Sequence, residues 1–198
     1  ANVEDIFNIS PDKYPEIADI LKILKDWDRN SNIESHGATI ATLFSSKFTK
    51  NYIEKNGIPS GEVRLSEVEL VNFLTEARNH LIKYFKTVEV PLGDFQKLVR
   101  GEKELPVSGI MDVIATMWSK PYKDGKYKAD AGESYIMLIQ WDESGPTIET
   151  ISPYGASNVP GNPHYDDQME LFVNKKMKKM SLNYPTADIK FRKIKAEK

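Results

Sequence analysis

The sequence predicts an α+β protein in which a helical first half is followed by a β-hairpin. Two observations lead to this prediction. Before Pro106 the apolar residues recur at the three- and four-residue spacing of amphipathic helices. After it, residues 133–141 form a continuous apolar run, followed by a turn and a second strand-like run. We therefore expect a mainly helical segment over residues 1–110 and a strand-containing segment with a basic tail over residues 111–198, packed as one compact unit.

Four helices are predicted in the first half, each from residues that favour a helix start and from an apolar stripe. The third is the clearest, because Ser66 and Glu69 have the spacing of a capping box. In chain order, the first predicted helix begins at the capping residues Ser10–Asp12 and continues through Trp27, and the second runs from Glu34 or Ser35 to Tyr52, with a stop at Asn56-Gly57. The third runs from Ser66 to Phe85, and the fourth runs from Gly93 to Arg100, with an end at Gly101.

The apolar run Glu133–Trp141 predicts a strand that is covered on both faces, because apolar side chains point to either side of it. A turn over 121–125 precedes it, and a hairpin loop at Glu143–Pro146 leads to a second strand, Thr147–Ser152. Only these two strands are convincing, and an isolated hairpin is marginally stable in water. Either weaker segments such as Lys126–Ala129 join the sheet, or its partners lie on another polypeptide. The second alternative fits a fragment of a larger protein.

A loop rich in Gly, Pro and Asn follows over residues 154–163, and a short helix is predicted near residues 167–176. Beyond it the chain is basic, with nine Lys or Arg against two Asp or Glu from Lys175 to Lys198. We interpret this charge as a solvated surface and a trailing tail. A phosphate or anionic-surface site is the alternative, but the interleaved aromatic residues of a base-stacking site are missing.

The composition is that of an ordinary globular protein. Of the 198 residues, 40% are hydrophobic and 28% are charged. The lack of cysteine excludes disulfides, thiolate metal sites and a cysteine nucleophile. The net charge is -2, and no apolar run approaches the ~20 residues of a membrane span, so we expect neither nucleic acid nor a membrane as a partner.

The histidines do not predict an active site. His80 lies within a predicted helix, where a surface or boundary role is expected, and His36 stands at a helix start, where it would cap or pack. His164, Asp166 and Asp167 are close enough in sequence to bind a metal or to pair as a base with its orienting group. No second set of ligands accompanies them, and either aspartate could cap the next helix, so a structural role is favoured.

Signatures of serine hydrolases and nucleotide-binding loops are missing as well. Ser134 opens a strand and is interpreted as a strand-end residue. Ala1 has neither a hydroxyl nor a thiol, so we expect that it is not the nucleophile of an enzyme that uses its own amino terminus as the base. Residue chemistry alone therefore predicts no catalytic residue, no metal and no cofactor.

Several stretches together resemble the end of the large subunit of penicillin acylases, a family of N-terminal nucleophile hydrolases. They follow the family's order over nearly the whole chain, and the segment around residues 90–109 is most similar to the aculeacin and acyl-homoserine lactone acylases, which act on an antibiotic and on quorum-sensing signals. The matching stretches are Leu24–Asp28, Ser35–Ala38, Val90–Gln96, Arg100-Gly101, Leu105–Gly109, Ala131–Tyr135, Ile151–Ser157 and Pro160–Gln168.

The resemblance implies a four-layer α/β/β/α sandwich and an exported precursor, periplasmic or secreted, that cuts itself into two subunits. The amino-terminal serine of the large subunit would attack a small-molecule amide. This serine and its immediate partners, like the family's calcium site, would lie outside this chain, so no catalytic or metal-binding residue is transferred. The binding residues are left open, and the matched loop residues His164, Tyr165, Asp167 and Gln168 are expected to be structural.

Our leading hypothesis is the carboxyl-terminal portion of an acylase that is inactive alone and has the small subunit and the rest of the large subunit as partners. A stand-alone, non-catalytic interaction domain derived from an acylase is the first alternative. A metal-dependent hydrolase centred on His164, Asp166 and Asp167 is the second.

Overall fold

The computed structural model describes residues 3–57, 63–111 and 113–180 and confirms the α+β class. The basic segment beyond residue 180 lies outside the described residues. The helices are α1 (Ala18–Asp26), α2 (His36–Phe48), α3 (Glu54–Asn56), α4 (Glu67–Phe85), α5 (Leu92–Phe95) and α6 (Met169–Val173). The strands are β1 (Gln96–Arg100), β2 (Lys103–Pro106), β3 (Met117–Pro121), β4 (Tyr127–Gly132), β5 (Ile136–Asp142), β6 (Gly145–Ile151) and β7 (Lys178–Met180).

Helices α1, α2 and α4 surround the main hydrophobic core. The predicted capping box of α4 is confirmed: Ser66 Oγ accepts a hydrogen bond from the Glu69 amide, and the Glu69 carboxylate accepts one from the Ser66 amide. Phe73 of α4 meets Phe44 of α2 edge to face, with 5.8 Å between ring centres. The buried stripe of α4 is Leu70, Val71, Phe73, Leu74, Ala77 and Leu81.

The start of α2 is also confirmed, because Ser35 Oγ accepts a hydrogen bond from the Ala38 amide at 3.1 Å. The helix continues through a π-helical turn, Thr49–Ile53, into α3, and Gly57 terminates it with a φ of 77°. The predicted cap of the first helix is wrong. Ser10 forms a backbone turn instead, and a 3-10 turn opened by Pro15 leads into α1 without a side-chain cap.

The predicted helix Gly93–Arg100 is wrong over its second half. Residues 92–95 form the single turn α5, after which β1 pairs antiparallel with β2 and parallel with β4. The strand order β2-β1-β4-β3 places two strands from before residue 110 beside two from after it. The local spacing of apolar residues suits a helix, but hydrogen bonding to the adjacent strand β2 and to the more distant strand β4 decides the conformation.

The predicted hairpin is confirmed as β5 and β6, and β7 adds to β6 in a second sheet of order β5-β6-β7. Of the weaker segment Lys126–Ala129, residues 127–129 do lie in a strand, but that strand, β4, belongs to the other sheet. The predicted cover over both faces of the apolar strand is not supplied by the described part of the chain, where β5 is exposed from Met137 to Asp142.

Helix α6 packs on the outer part of the four-stranded sheet and is shorter than predicted. It forms a second small core, whose buried members are Leu98, Val107, Met117, Ala129 and Met169. Within the described residues, no helix has the length and apolar character needed to cross a membrane.

Candidate functional site

Apart from His80 and Ser134, the described residues singled out in the sequence lie in two places: the motif loop, which we define as residues 152–168, and a cleft beside α1 and α2. The motif loop closes on itself through backbone hydrogen bonds. The Ser157 amide donates to the His164 carbonyl at 2.9 Å, and the Gln168 amide donates to the Tyr154 carbonyl at 2.8 Å. Gly155 is needed at this closure, because a Cβ there would collide with the His164 carbonyl.

Gln168 joins the end of the motif loop to its start. Its side chain is buried, and Oε1 accepts a hydrogen bond from the Ser152 amide at 3.2 Å. Gln168 is also the cap residue of α6. The prediction that Asp166 or Asp167 caps this helix is therefore wrong.

Arg100, at the end of β1, attaches the motif loop to the four-stranded sheet. Its guanidinium lies 4.3 Å from the ring centre of Tyr165 and 5.1 Å from that of Tyr154. Nη2 also donates to the Ser157 carbonyl at 3.0 Å. Burial raises the pKa of the Tyr154 hydroxyl, and the nearby Arg100 cation opposes this rise.

His164 and Asp167 form an exposed pair. Nδ1 of His164 lies 2.8 Å from Oδ2 of Asp167, and 67% of the histidine side chain is exposed. Across the residues that the structure describes, no group of three His, Asp or Glu side chains is arranged to hold a metal ion. The geometry brings together a base and its orienting carboxylate, and no hydroxyl is hydrogen-bonded to this His164 within the described parts of the chain.

His80 lies at the boundary of the core, as expected. Nε2 donates to the Gly125 carbonyl at 2.7 Å, and the ring packs against Tyr84, Phe95 and Tyr127. Burial lowers the pKa of His80. Both the hydrogen bond and the ring contacts favour a packing role.

The cleft has a volume of about 650 Å³, and His36 lies at its wall. Two of the matched stretches meet here. The Trp27 ring occupies the space above Gly37, where a Cβ would collide with it, and Trp27 Nε1 donates to the Asn30 carbonyl at 2.8 Å. Hydrogen bonds from Asn30 lower the pKa of Asp28. The acidic side chains lining the cleft are Asp19, Asp26, Asp28, Glu34 and Glu89.

One cleft carboxylate is neutralised, since Asp19 forms an ion pair with Arg78 at 2.9 Å. Lys22 adds a positive charge to the lining. The cleft is therefore a moderately acidic surface recess. The close contacts of Trp27 with Gly37 and Asn30 hold its wall together.

The sequence interpretation missed the role of Gln96, which it placed in a helix. The side chain is fully buried, and Nε2 donates to the carbonyls of Val107 and Gly109 at 3.1 and 2.8 Å. Oε1 accepts a hydrogen bond from Ser119 Oγ at 2.6 Å. The available signal was the place of Gln96 at the end of a matched stretch, because a polar residue that is buried there needs several hydrogen-bond partners.

The hairpin β5–β6 carries several large apolar side chains that are exposed. Trp141 is 74% exposed and Leu138 57% exposed, on opposite faces of β5. Strand β5 pairs only with β6 among the described strands, so its second edge is open. These features make the hairpin a candidate interface.

Comparisons with known proteins agree with the motifs. The family model for penicillin amidase matches residues 3–188. An acyl-homoserine lactone acylase, PvdQ, of Pseudomonas fluorescens strain Pf0-1 is 24% identical over 169 residues, which is 77% of this chain and 22% of that protein. Its counterpart in strain Pf-5 is 31% identical over 88 residues, covering 43% of this chain and 11% of that protein. The chain thus spans about a tenth to a quarter of these relatives.

Among solved structures, the thermostable penicillin G acylase from Alcaligenes faecalis aligns with 97% of this chain and 45% of its own chain. The sequence identity is 12% and the TM-score is 0.41.

Proposed function

The chain belongs to the penicillin amidase family, and from this premise we propose that it is a structural, non-catalytic portion of an enzyme that hydrolyses a linear amide. The observation that carries the proposal is the family match over residues 3–188 in a chain that spans only about a tenth to a quarter of its relatives. The greater part of those relatives lies outside the matched region.

The reaction we propose for the whole enzyme is acyl transfer from an amide to an amino-terminal serine that lies outside this chain, followed by hydrolysis. The names of the relatives favour an acyl-homoserine lactone as substrate. We further propose export to the periplasm, on the basis of the resemblance in the sequence.

The role that we propose for the motif loop is structural. Arg100 and Gln168 hold it to the sheet and to α6, and Gly155 permits its closure. His164 and Asp167 stabilise the turn between these points and do not act on the substrate.

The test measures hydrolysis of a long-chain N-acyl-homoserine lactone, with homoserine lactone release as the readout. We expect no turnover by the purified chain. Turnover should appear when the chain is co-expressed with the remaining part of the acylase, and a His164→Gln variant of that complex should keep its kcat. Amide hydrolysis by the purified chain alone would overturn the proposal.

A stand-alone interaction domain is the competing function, and the exposed hairpin favours it equally. Such a domain should be a monomer that unfolds cooperatively and gains no activity from any other part of an acylase. The co-expression experiment therefore separates the two functions.

A further inference from the structure

A cavity lies where the two sheets and α6 meet, and we infer that it binds a small anion with an apolar tail. Its volume is about 250 Å³. We call it the junction cavity; it is enclosed by the loop after β2, the start of β3, the base of the hairpin β5–β6 and the segment that joins α6 to β7. The inference does not rest on the proposed function, because no step of the proposed reaction uses this site.

The walls of the junction cavity are mostly apolar. Met117 at the start of β3 and Ile151 at the end of β6 are buried, and Ile136 of β5 and Phe172 of α6 are half-buried. These side chains belong to both sheets and to α6, so this chain forms the cavity by itself. Packed proteins contain few voids larger than a water molecule. An apolar space of this size therefore indicates a binding site.

The volume sets the size of the apolar part of the ligand. An apolar cavity of ~150 Å³ is large enough to bind benzene. In proportion, about 250 Å³ accepts a chain or ring system of about six to ten carbon atoms. Met117 and Met177 line the cavity, and their unbranched, flexible side chains can adapt to such a group.

The charged residues that line the cavity determine the head group. Lys175 and Lys176, the first residues of the basic segment, both line the cavity and are exposed, so they lie at its mouth. Neither lysine side chain forms an ion pair within the described parts of the chain. Among the lining residues described, Glu133 is the only acidic one. Two positive charges against one negative charge favour an anionic head group over a cationic one.

The backbone at Lys175 supports a role for its side chain. Its φ is 54°, in the left-handed region that glycine or asparagine usually occupies after a helix. The turn is fixed by hydrogen bonds from the Lys175 amide to the Phe172 carbonyl at 3.0 Å and from the Lys176 amide to the Leu171 carbonyl at 2.8 Å. A lysine held in this conformation is expected to contribute through its charge.

The test titrates the full chain, with isotope-labelled methionine methyl groups, with octanoate and records NMR spectra. Met117 and Met177 line the cavity, whereas Met137 and Met180 are exposed outside its lining. We expect octanoate to shift the signals of the first pair and not those of the second. Octanol has the tail without the charge and should bind about three- to tenfold more weakly. Acetate has the charge without the tail and should cause no shift.

A pair of substitutions removes the charge from the mouth of the cavity. Lys175→Asn combined with Lys176→Gln should weaken octanoate binding about three- to tenfold and leave octanol binding unchanged. Thermal stability should be retained, because asparagine suits the left-handed conformation. Lys178→Asn combined with Lys179→Gln is the matched control, since these exposed lysines of β7 lie outside the lining. At physiological ionic strength it should change octanoate affinity less than about twofold.

The inference would be overturned if octanoate caused no shift, if octanol bound equally well, or if both lysine pairs had the same effect. Shifts of Met137 as large as those of Met117 would also overturn it, because they would mean adsorption to the exposed hairpin. The last measurement repeats the titration with the labelled chain co-expressed with the remaining part of the acylase. Retained shifts of Met117 support the site, and their loss would assign the cavity to a contact within the enzyme. Amide hydrolysis is measured in none of these experiments, so the proposed function is tested separately.

Discussion

The guanidinium of Arg100 lies 4.3 Å from the ring centre of Tyr165 and connects the end of β1 to a loop more than fifty residues further along the chain. The same group donates a hydrogen bond to the Ser157 carbonyl. With its contact to the Tyr154 ring, this one side chain holds the motif loop at three residues. It is the main polar connection between this loop and the four-stranded sheet among the described contacts.

Arg100→Met should therefore loosen the motif loop while keeping the bulk of the side chain. Loss of the cation–π contacts and of the hydrogen bond should lower the free energy of unfolding by ~1–3 kcal/mol in urea denaturation. Arg29→Met is the control, since Arg29 also lies over a ring, that of Phe7, but is exposed. An equal loss for both variants would contradict the assigned role.

Gly155→Ala tests the closure of the same loop. The added methyl group would collide with the His164 carbonyl, and backbone atoms must shift to relieve the collision. We expect a loss of ~1–3 kcal/mol, the range of overpacked positions, measured by the midpoint of urea denaturation. Ala156→Ser adds one atom at the exposed neighbouring position and should leave the midpoint unchanged. A tolerated Gly155→Ala would mean that the loop closes in another way.

The parts of the fold that depend on local chemistry could be predicted from the sequence. The capping box of α4 lies within four residues, and the hairpin β5–β6 is formed by neighbouring strands. The helix predicted over residues 93–100 was wrong because β1 is held between β2, the next strand in the sequence, and β4, whose residues lie about thirty positions away. Propensity and spacing carry no information about such a partner.

In the candidate site, too, the sequence predicted contacts between residues that are close in the chain but not contacts between distant ones. The sequence placed His164 and Asp167 close together, and the structure pairs them. Arg100 belonged to a matched stretch, yet its contact with Tyr165 depends on how the loop folds back onto the sheet. The apolar pattern of β5 predicted its need for cover, but only the structure reveals that this part of the chain does not provide it.

The stability of the chain should depend on the protonation of His80. Burial lowers the pKa of His80 below its ordinary value near 6.5, so the unfolded chain binds the proton more readily than the folded one. The stabilisation is complete above about pH 6.5 and is lost as the pH falls below it.

Urea denaturation between pH 8 and pH 5 measures this dependence. His80→Gln can still donate a hydrogen bond but does not titrate, so its free energy of unfolding should fall less over that range than that of the parent chain. Lys47 and Lys83, which also lower the pKa of His80, remain in place in the variant. Identical pH profiles for the two proteins would rule out His80 as the titrating group.

Gln96 and Ser119 should be coupled energetically, because the Ser119 hydroxyl donates to a side chain that has no access to water. Gln96→Met leaves the carbonyls of Val107 and Gly109 without their donor, and we expect a loss of ~2–4 kcal/mol. Ser119→Ala leaves Oε1 of Gln96 unpaired and should cost ~1–2 kcal/mol. In the double variant the second substitution removes a hydroxyl that has already lost its acceptor, so the combined loss should be smaller than the sum by ~1 kcal/mol. Urea denaturation of the four proteins gives this coupling directly, and simple additivity would mean that the buried hydrogen bond between β1 and β3 contributes nothing to the stability of the sheet.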